Sequence, residues 1–204
     1  MNEEAFKRIS SYYDDLVNRH GHDPRACDYG RPESQSKKFA VLAGVTPLDG
    51  KRLLDVGCGF ADYADYLSTH GSGVQYSGVD LSYRMIEIAH QRHLDLDLRV
   101  GNILDAVEPG QFNVVNANGI FYLLGPAAAD MMQTIIQRLF ELAGEAVAFN
   151  SLSTWASQRE PDEYYADPIE TFEFCRTLTP WVVLRHDYLP HDFTIYMYRQ
   201  PHIL

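Results

Sequence analysis

Apolar positions recur along the chain with two periods, and each change of period marks an element. Over residues 5–17, Phe6, Ile9, Tyr13, Leu16 and Val17 share one helical stripe with charges opposite, which predicts an amphipathic helix. His20-Gly21-His22-Asp23-Pro24 breaks it, 27–33 reads as a loop, and 34–43 predicts a second helix burying Phe39, Ala40, Val41 and Leu42. Leu53-Leu54-Asp55-Val56 is a short apolar run that gives way to Gly57-Cys58-Gly59 and resumes with helical spacing over 61–67: strand, tight turn, helix. A turn at 70–73 and a strand at 75–79 lead to Asp80, and Ser82 is placed to cap a helix over 83–92 with Met85, Ile86 and Ala89 inward. Strands follow at 97–100, 112–116 and 146–149, with a long helix at 127–143 whose stripe is Met131, Ile135, Leu139 and Leu142. The polar stretch 158–167 reads as a loop near the pocket and 169–177 as a helix. The last two β-rich runs, 181–188 and 193–199, are joined too closely for a crossover, so they must pair antiparallel.

The glycine spacing restricts the ligand. A strand-turn-helix followed by an acid at the end of the second strand is a nucleotide-binding opening, the acid suiting ribose hydroxyls. A dinucleotide fingerprint needs a third glycine for its pyrophosphate, and here that position is Asp62, whose carboxylate would repel an anion and suit a cation. A phosphate-free cationic nucleoside fits these demands. S-adenosylmethionine, with an adenine, a ribose, a sulfonium and an ammonium, is such a ligand.

Four pieces in order, Leu54-Asp55-Val56-Gly57-Cys58-Gly59, Gly78-Val79-Asp80-Leu81-Ser82 with Met85, Gly101-Asn102-Ile103-Leu104-Asp105 and Phe112-Asn113-Val114-Val115, resemble the class I S-adenosylmethionine-dependent methyltransferases. The resemblance covers residues 50–150 as motif and the rest as topology. It departs at Asn102 and Asn113, where the family often has Asp. It implies an α/β, Rossmann-like, seven-stranded and mostly parallel sheet with an antiparallel C-terminal hairpin and helices on both faces. It also implies S-adenosylmethionine as cofactor, S-adenosylhomocysteine as product, and cofactor contacts from Asp55, Gly57, Cys58, Gly59, Asp80, Leu81, Asn102, Ile103, Asn118 and Gly119. In an open α/β sheet ligands bind beyond the carboxyl ends of the strands, so the loop after the 112–116 strand should face the reacting centre and makes Tyr122 a catalytic candidate, with Asn150 after the next strand as a substrate candidate.

About fifty residues precede the first strand. In the family such an extension commonly lies over the cofactor and completes the acceptor pocket, so residues 1–50 are expected to form a helical cover on a 51–204 core within one domain. Tyr12, Tyr29, Arg31 and Gln35 become substrate candidates, Tyr13 and His22 catalytic ones, His22 as a proton acceptor. Each also has a plain alternative in packing or surface pairing. Removing residues 1–35 is expected to leave the core folded. His191 and Asp192, between the last two strands, read as a solvated turn although either is chemically able to act as a base.

Composition narrows the partners. With 204 residues, 46% hydrophobic and 22% charged, the chain is long and apolar enough for a sizeable core. A net charge of −11 argues against a nucleic-acid surface, and the stretch 116–119 lacks the prolines of the Asn-Pro-Pro-Tyr loop of nucleobase methyltransferases, so no DNA partner is expected. No apolar run reaches the length of a membrane span and the first residues lack a signal peptide's pattern, so a cytoplasmic protein without membrane partners is expected. Cys27, Cys58 and Cys175 have no metal or redox spacing, and His20-Gly21-His22-Asp23 offers too few converging ligands for a metal. The expected acceptor is a small molecule, methylated at nitrogen or oxygen; a protein or RNA methyltransferase and a noncatalytic cofactor-binding partner are the alternatives. Oligomeric state and acceptor identity have no signature in the sequence.

Overall fold

The side-chain alternation of the strands divides the interior into two layers. In the computed structural model, which describes residues 2–27, 32–105 and 112–202, seven strands are β1 Arg52–Val56, β2 Gln75–Asp80, β3 Asp97–Val100, β4 Phe112–Ala117, β5 Ala143–Leu152, β6 Val182–Leu189 and β7 Asp192–Tyr198. The helices are α1 Asn2–His20, α2 Pro32–Ala43, α3 Asp62–Thr69, α4 Tyr83–Arg92, α5 Ala128–Leu142 and α6 Pro168–Leu178, with a 3-10 turn at Pro24–Cys27. The strands form one sheet in the order β3-β2-β1-β4-β5-β7-β6. β1 to β5 pair in parallel, and β7 runs antiparallel between β5 and β6.

Adjacent residues of each strand face opposite layers. Leu54, Val115, Val147 and Ile195 pack against Met131, Ile135 and Leu139 of α5, on the side where Phe6 and Ile9 of α1 also insert. Leu53, Val114, Ala148 and Tyr196 pack on the other side against Phe39 and Leu42 of α2, Leu67 of α3 and Ile86 of α4. Helices therefore cover both faces. A third small cluster joins Leu16 and Val17 of α1 to Phe60 and Met85.

The predicted elements hold, with differences that have physical causes. α1 extends to His20 because Glu3 and Glu4 favour its N-terminus and Arg19 and His20 its C-terminus. No loop separates α5 from β5: Ala143 closes the helix in an extended conformation and starts the strand. Asn113, one of the departures from the family pattern, ties neighbouring strands together, its Oδ1 accepting from the Arg52 amide at 3.0 Å and its Nδ2 donating to Glu145 at 2.9 Å. Among the described residues no helix is long and apolar enough to cross a membrane.

Candidate functional site

The carboxyl ends of β1, β2, β4 and β5 open into a cavity of 220 Å³. The parallel order creates it, because β1 sits between β2 and β4 and the crossovers leave in opposite directions from that point. Its floor is the glycine turn. Gly57 has φ +75°, and a Cβ there would lie 2.3 Å from Ile120 Cγ2, so the backbone conformation and the space both demand glycine.

Asp80 holds this turn. Its Oδ2 accepts from the Gly59 amide and its Oδ1 from the Ser82 amide, each at 2.8 Å. Burial raises its carboxyl above the usual range, opposed by those two amides. Asp55, buried at the end of β1, accepts from the Tyr76 hydroxyl at 2.6 Å. Burial pushes it up to about 7, the Tyr76 bond opposing and the nearby Asp80 charge adding to the effect. A carboxyl raised on folding binds its proton more tightly in the native state, so this contribution to stability is complete below the unfolded value, 3.8, and is lost as pH rises through about 7. The difference in unfolding free energy between the native chain and Asp55→Asn is expected to fall across that window; a pH-independent difference in denaturant melts would refute the assignment.

Two loops form the far wall. Asn150, fully buried at the end of β5, accepts from the Gly119 amide at 2.7 Å and donates to Asn118 Oδ1 at 2.6 Å, which fixes the β4 loop. Asn102 spends its side chain on its own turn, accepting from the Leu104 amide at 3.0 Å, and with Ile103 lines the cavity. Leu81, Cys58 and Gln35 line it too. α1 closes the top: Ser10 donates to the Leu81 carbonyl at 2.9 Å, Ser82 donates to Asp14 at 2.5 Å, and the hydroxyls of Tyr13 and Tyr122 meet at 2.7 Å.

Some sequence expectations fall elsewhere. His22 lies outside the lining, 3.1 Å from Asp62 Oδ1 and edge-on to Phe60, which is not a position from which it takes a proton in the cavity. Tyr12 is exposed and packs edge-on against Tyr13, also outside the lining. Tyr29 and Arg31 lie outside the described residues. Asp62 does line the cavity, but its Oδ1 is 2.8 Å from Arg92 Nη1, a guanidinium it shares with Asp65, so its expected repulsion of a pyrophosphate is partly offset. Asp192 is no solvated turn residue. It is 1% exposed, lines the cavity and meets Lys38 Nζ at 2.6 Å. The apolar run after it was its one sequence signal, since a residue opening a buried strand is itself a candidate for burial. Glu163, from the polar stretch expected near the pocket, lines the cavity, and so does Lys38, which nothing in the sequence marks.

Residues 53–141 match the family described as Methyltransferase domain. A putative methyltransferase, Rv1506c, of Mycobacterium tuberculosis is 31% identical over 74% of this chain and 95% of its own length. A ubiquinone biosynthesis O-methyltransferase of Ralstonia nicotianae is 34% identical over 36% of this chain and 33% of its own. Among solved structures, magnesium protoporphyrin IX methyltransferase of Synechocystis PCC 6803, with bound S-adenosylhomocysteine, superposes with a TM-score of 0.72 at 13% identity, covering 95% of this chain and 99% of that one. A methyltransferase of Aquifex aeolicus gives 0.63 at 15% identity, covering 82% and 93%. At these identities the superpositions speak for the fold.

Proposed function

The chain belongs to the class I S-adenosylmethionine-dependent methyltransferases, and from that premise we propose that it methylates a small-molecule acceptor, at nitrogen or oxygen, inside the cavity that α1 closes. The observation that carries this reading is the Tyr13–Tyr122 contact at 2.7 Å, which joins the N-terminal cover to the β4 loop above the strand ends. A cavity closed in that way suits a compact acceptor. The resemblance to ubiquinone biosynthesis O-methyltransferases supports the same class. We read residues 1–50 as the cover of one methyltransferase domain and 51–204 as its core.

The residues on the floor fit the cofactor. Glycine at 57 leaves the backbone accessible where a Cβ would collide with Ile120. Asp80, after accepting two amides, retains lone pairs for ribose hydroxyls, and Asp55 places a buried carboxyl group beneath the glycine turn, where a nearby cation would favour its ionised form. Cys58, Gly59, Leu81, Asn102, Ile103, Asn118 and Gly119 would form the rest of that subsite. The bound cofactor supplies a methyl group already activated for in-line displacement.

What the chain must add is alignment and exclusion of water. α1 supplies the second, since Phe6 and Ile9 sit in the lining and in the core at once. The phenols of Tyr13 and Tyr122 supply the first: one donates to the other, which fixes both oxygens in the cavity wall that the acceptor's reacting group meets. Gln35 and Asn150 complete the wall. Tyr13→Phe and Tyr122→Phe are each expected to lower kcat/KM about tenfold, the worth of one hydrogen bond of about 1.4 kcal/mol, with S-adenosylhomocysteine affinity unchanged. Calorimetry and a metabolite panel read by mass for the gain of one methyl check both. Methylation of protein or RNA alone, or cofactor binding without any product, would replace the reading with one of the two alternatives.

A further inference from the structure

A buried ion pair stands in the cavity wall where stability gives no reason for one. Lys38 of α2 and Asp192 at the start of β7 are 2.6 Å apart, with side chains 10% and 1% exposed. Both line the cavity. Taking two charges out of water costs several kcal/mol each, and an apolar pair of similar volume is often as stable or more so. The neighbouring residue Phe39 shows that this helix does fill the layer with apolar side chains.

The two partners are not equivalent. Asp192 meets Lys38 through Oδ2 as an ion pair, while its Oδ1 accepts from the Tyr188 hydroxyl at 2.6 Å, which itself lies 2.8 Å from Thr194 Oγ1. An ammonium carries three donors in three directions, so the contact with Asp192 does not by itself exhaust Lys38. Among the described lining residues Lys38 is the one cation. The acids that share the lining with it each accept hydrogen bonds within the protein, Asp55 from Tyr76, Asp80 from two amides, Asp62 from Arg92 and Glu163 from the Tyr165 hydroxyl, and none of them offers an anion a donor. An oxyanion entering this cavity therefore finds its charge-assisted hydrogen bond at Lys38. Gln35, one turn earlier on α2, lines the same wall and adds an amide donor.

We propose that Lys38 is the acceptor anchor: it receives the carboxylate or phosphoryl group of an anionic methyl acceptor, while Asp192, Tyr188 and Thr194 hold its ammonium in place. This rests on the small-molecule reading above. Such an acceptor carries its oxyanion at one end and its nucleophilic nitrogen or oxygen at the other.

Matched pairs test it. Hydroxy acids and amino acids are each offered beside their primary amides, and phosphomonoesters beside their parent alcohols, so that the two arms tell a carboxylate from a phosphoryl group. The anionic member of a pair should show kcat/KM at least tenfold above the neutral one, and bind at least tenfold more tightly in calorimetry on protein saturated with S-adenosylhomocysteine. Lys38→Met should abolish that preference, whereas Asp192→Asn should keep it, because the ammonium remains. Since Lys38→Met strands the Asp192 carboxylate, the double variant Lys38→Met/Asp192→Asn keeps the wall neutral and must also lack the preference. A merely structural pair gives another pattern, in which both single variants lose thermal stability and neither changes selectivity; that result overturns the proposal. Equal handling by the native chain of both members of every pair, acid and amide as well as phosphomonoester and alcohol, overturns the anchor and leaves the small-molecule reading standing. Methylation of protein or RNA and of no metabolite overturns that reading, and the anchor with it.

Discussion

Asp80→Ala is expected to weaken S-adenosylhomocysteine binding by at least about 1.5 kcal/mol, a loss of about tenfold or more, because a buried carboxylate leaves the floor of the cavity. The effect has two sources. One is the contact proposed to the ribose hydroxyls. The other lies within the protein: Gly59 and Ser82 both donate to this carboxylate at 2.8 Å, and truncation strands two buried amides at a cost of about 1–3 kcal/mol each. The variant should therefore melt at lower temperature as well. A thermodynamic cycle separates the two, with S-adenosylhomocysteine and its 2′,3′-dideoxy analogue as ligands. If Asp80 holds the ribose, the substitution costs more affinity for the natural ligand than for the analogue. Equal losses would confine Asp80 to holding the turn, and unchanged affinity would remove it from the site.

Much of this floor is legible in the sequence, because its information is local. Strand, glycine turn and helix follow one another within the chain, and Asp80 ends the next strand, so spacing alone brought Gly57, Gly59 and Asp80 together. The capping of α4 by Ser82, whose Oγ accepts from the Met85 amide at 3.1 Å, was readable for the same reason. The antiparallel pairing of β6 and β7 followed from their short connection. The walls were less legible, since they join residues far apart in sequence. Tyr13 and Tyr122 could each be suspected, but their contact across 109 positions depends on how α1 lies on the sheet. Asp192 reads as solvated because it follows Pro190 and His191 in a short break between two strands; its burial is decided by Tyr188 and by Lys38 arriving from α2. His22 was chosen for its chemistry, and the direction of its ring was set by Phe60 and Asp62, which no periodicity reports.

Deleting residues 1–35 is expected to cost the protein its fold, against the expectation drawn from the sequence that the glycine-turn core would survive alone. The cover is part of the interior. Phe6 and Ile9 of α1 belong to the main apolar cluster with Val56, Phe121 and Ile135, and Leu16 and Val17 pack with Phe60 and Met85. Burying four such side chains contributes about 1.5–3 kcal/mol each, or about 6–12 kcal/mol together as an upper estimate. That is comparable to the whole stability of a domain, about 5–15 kcal/mol. The truncated chain should thus lack a cooperative melt and its near-ultraviolet circular dichroism, and loss of methyl transfer in it would say nothing about the cover. Ser10→Ala with Asp14→Ala is the sharper change, because it removes the polar ties to Leu81 and Ser82 and leaves the apolar face of α1 intact. That double variant should keep S-adenosylhomocysteine binding within a few-fold, lower kcat, and expose α1 to limited proteolysis as the helix opens more often. A truncated protein that melts cooperatively near the native temperature and methylates at full rate would make α1 an appendage, and would assign the acceptor wall to the loops after β4 and β5.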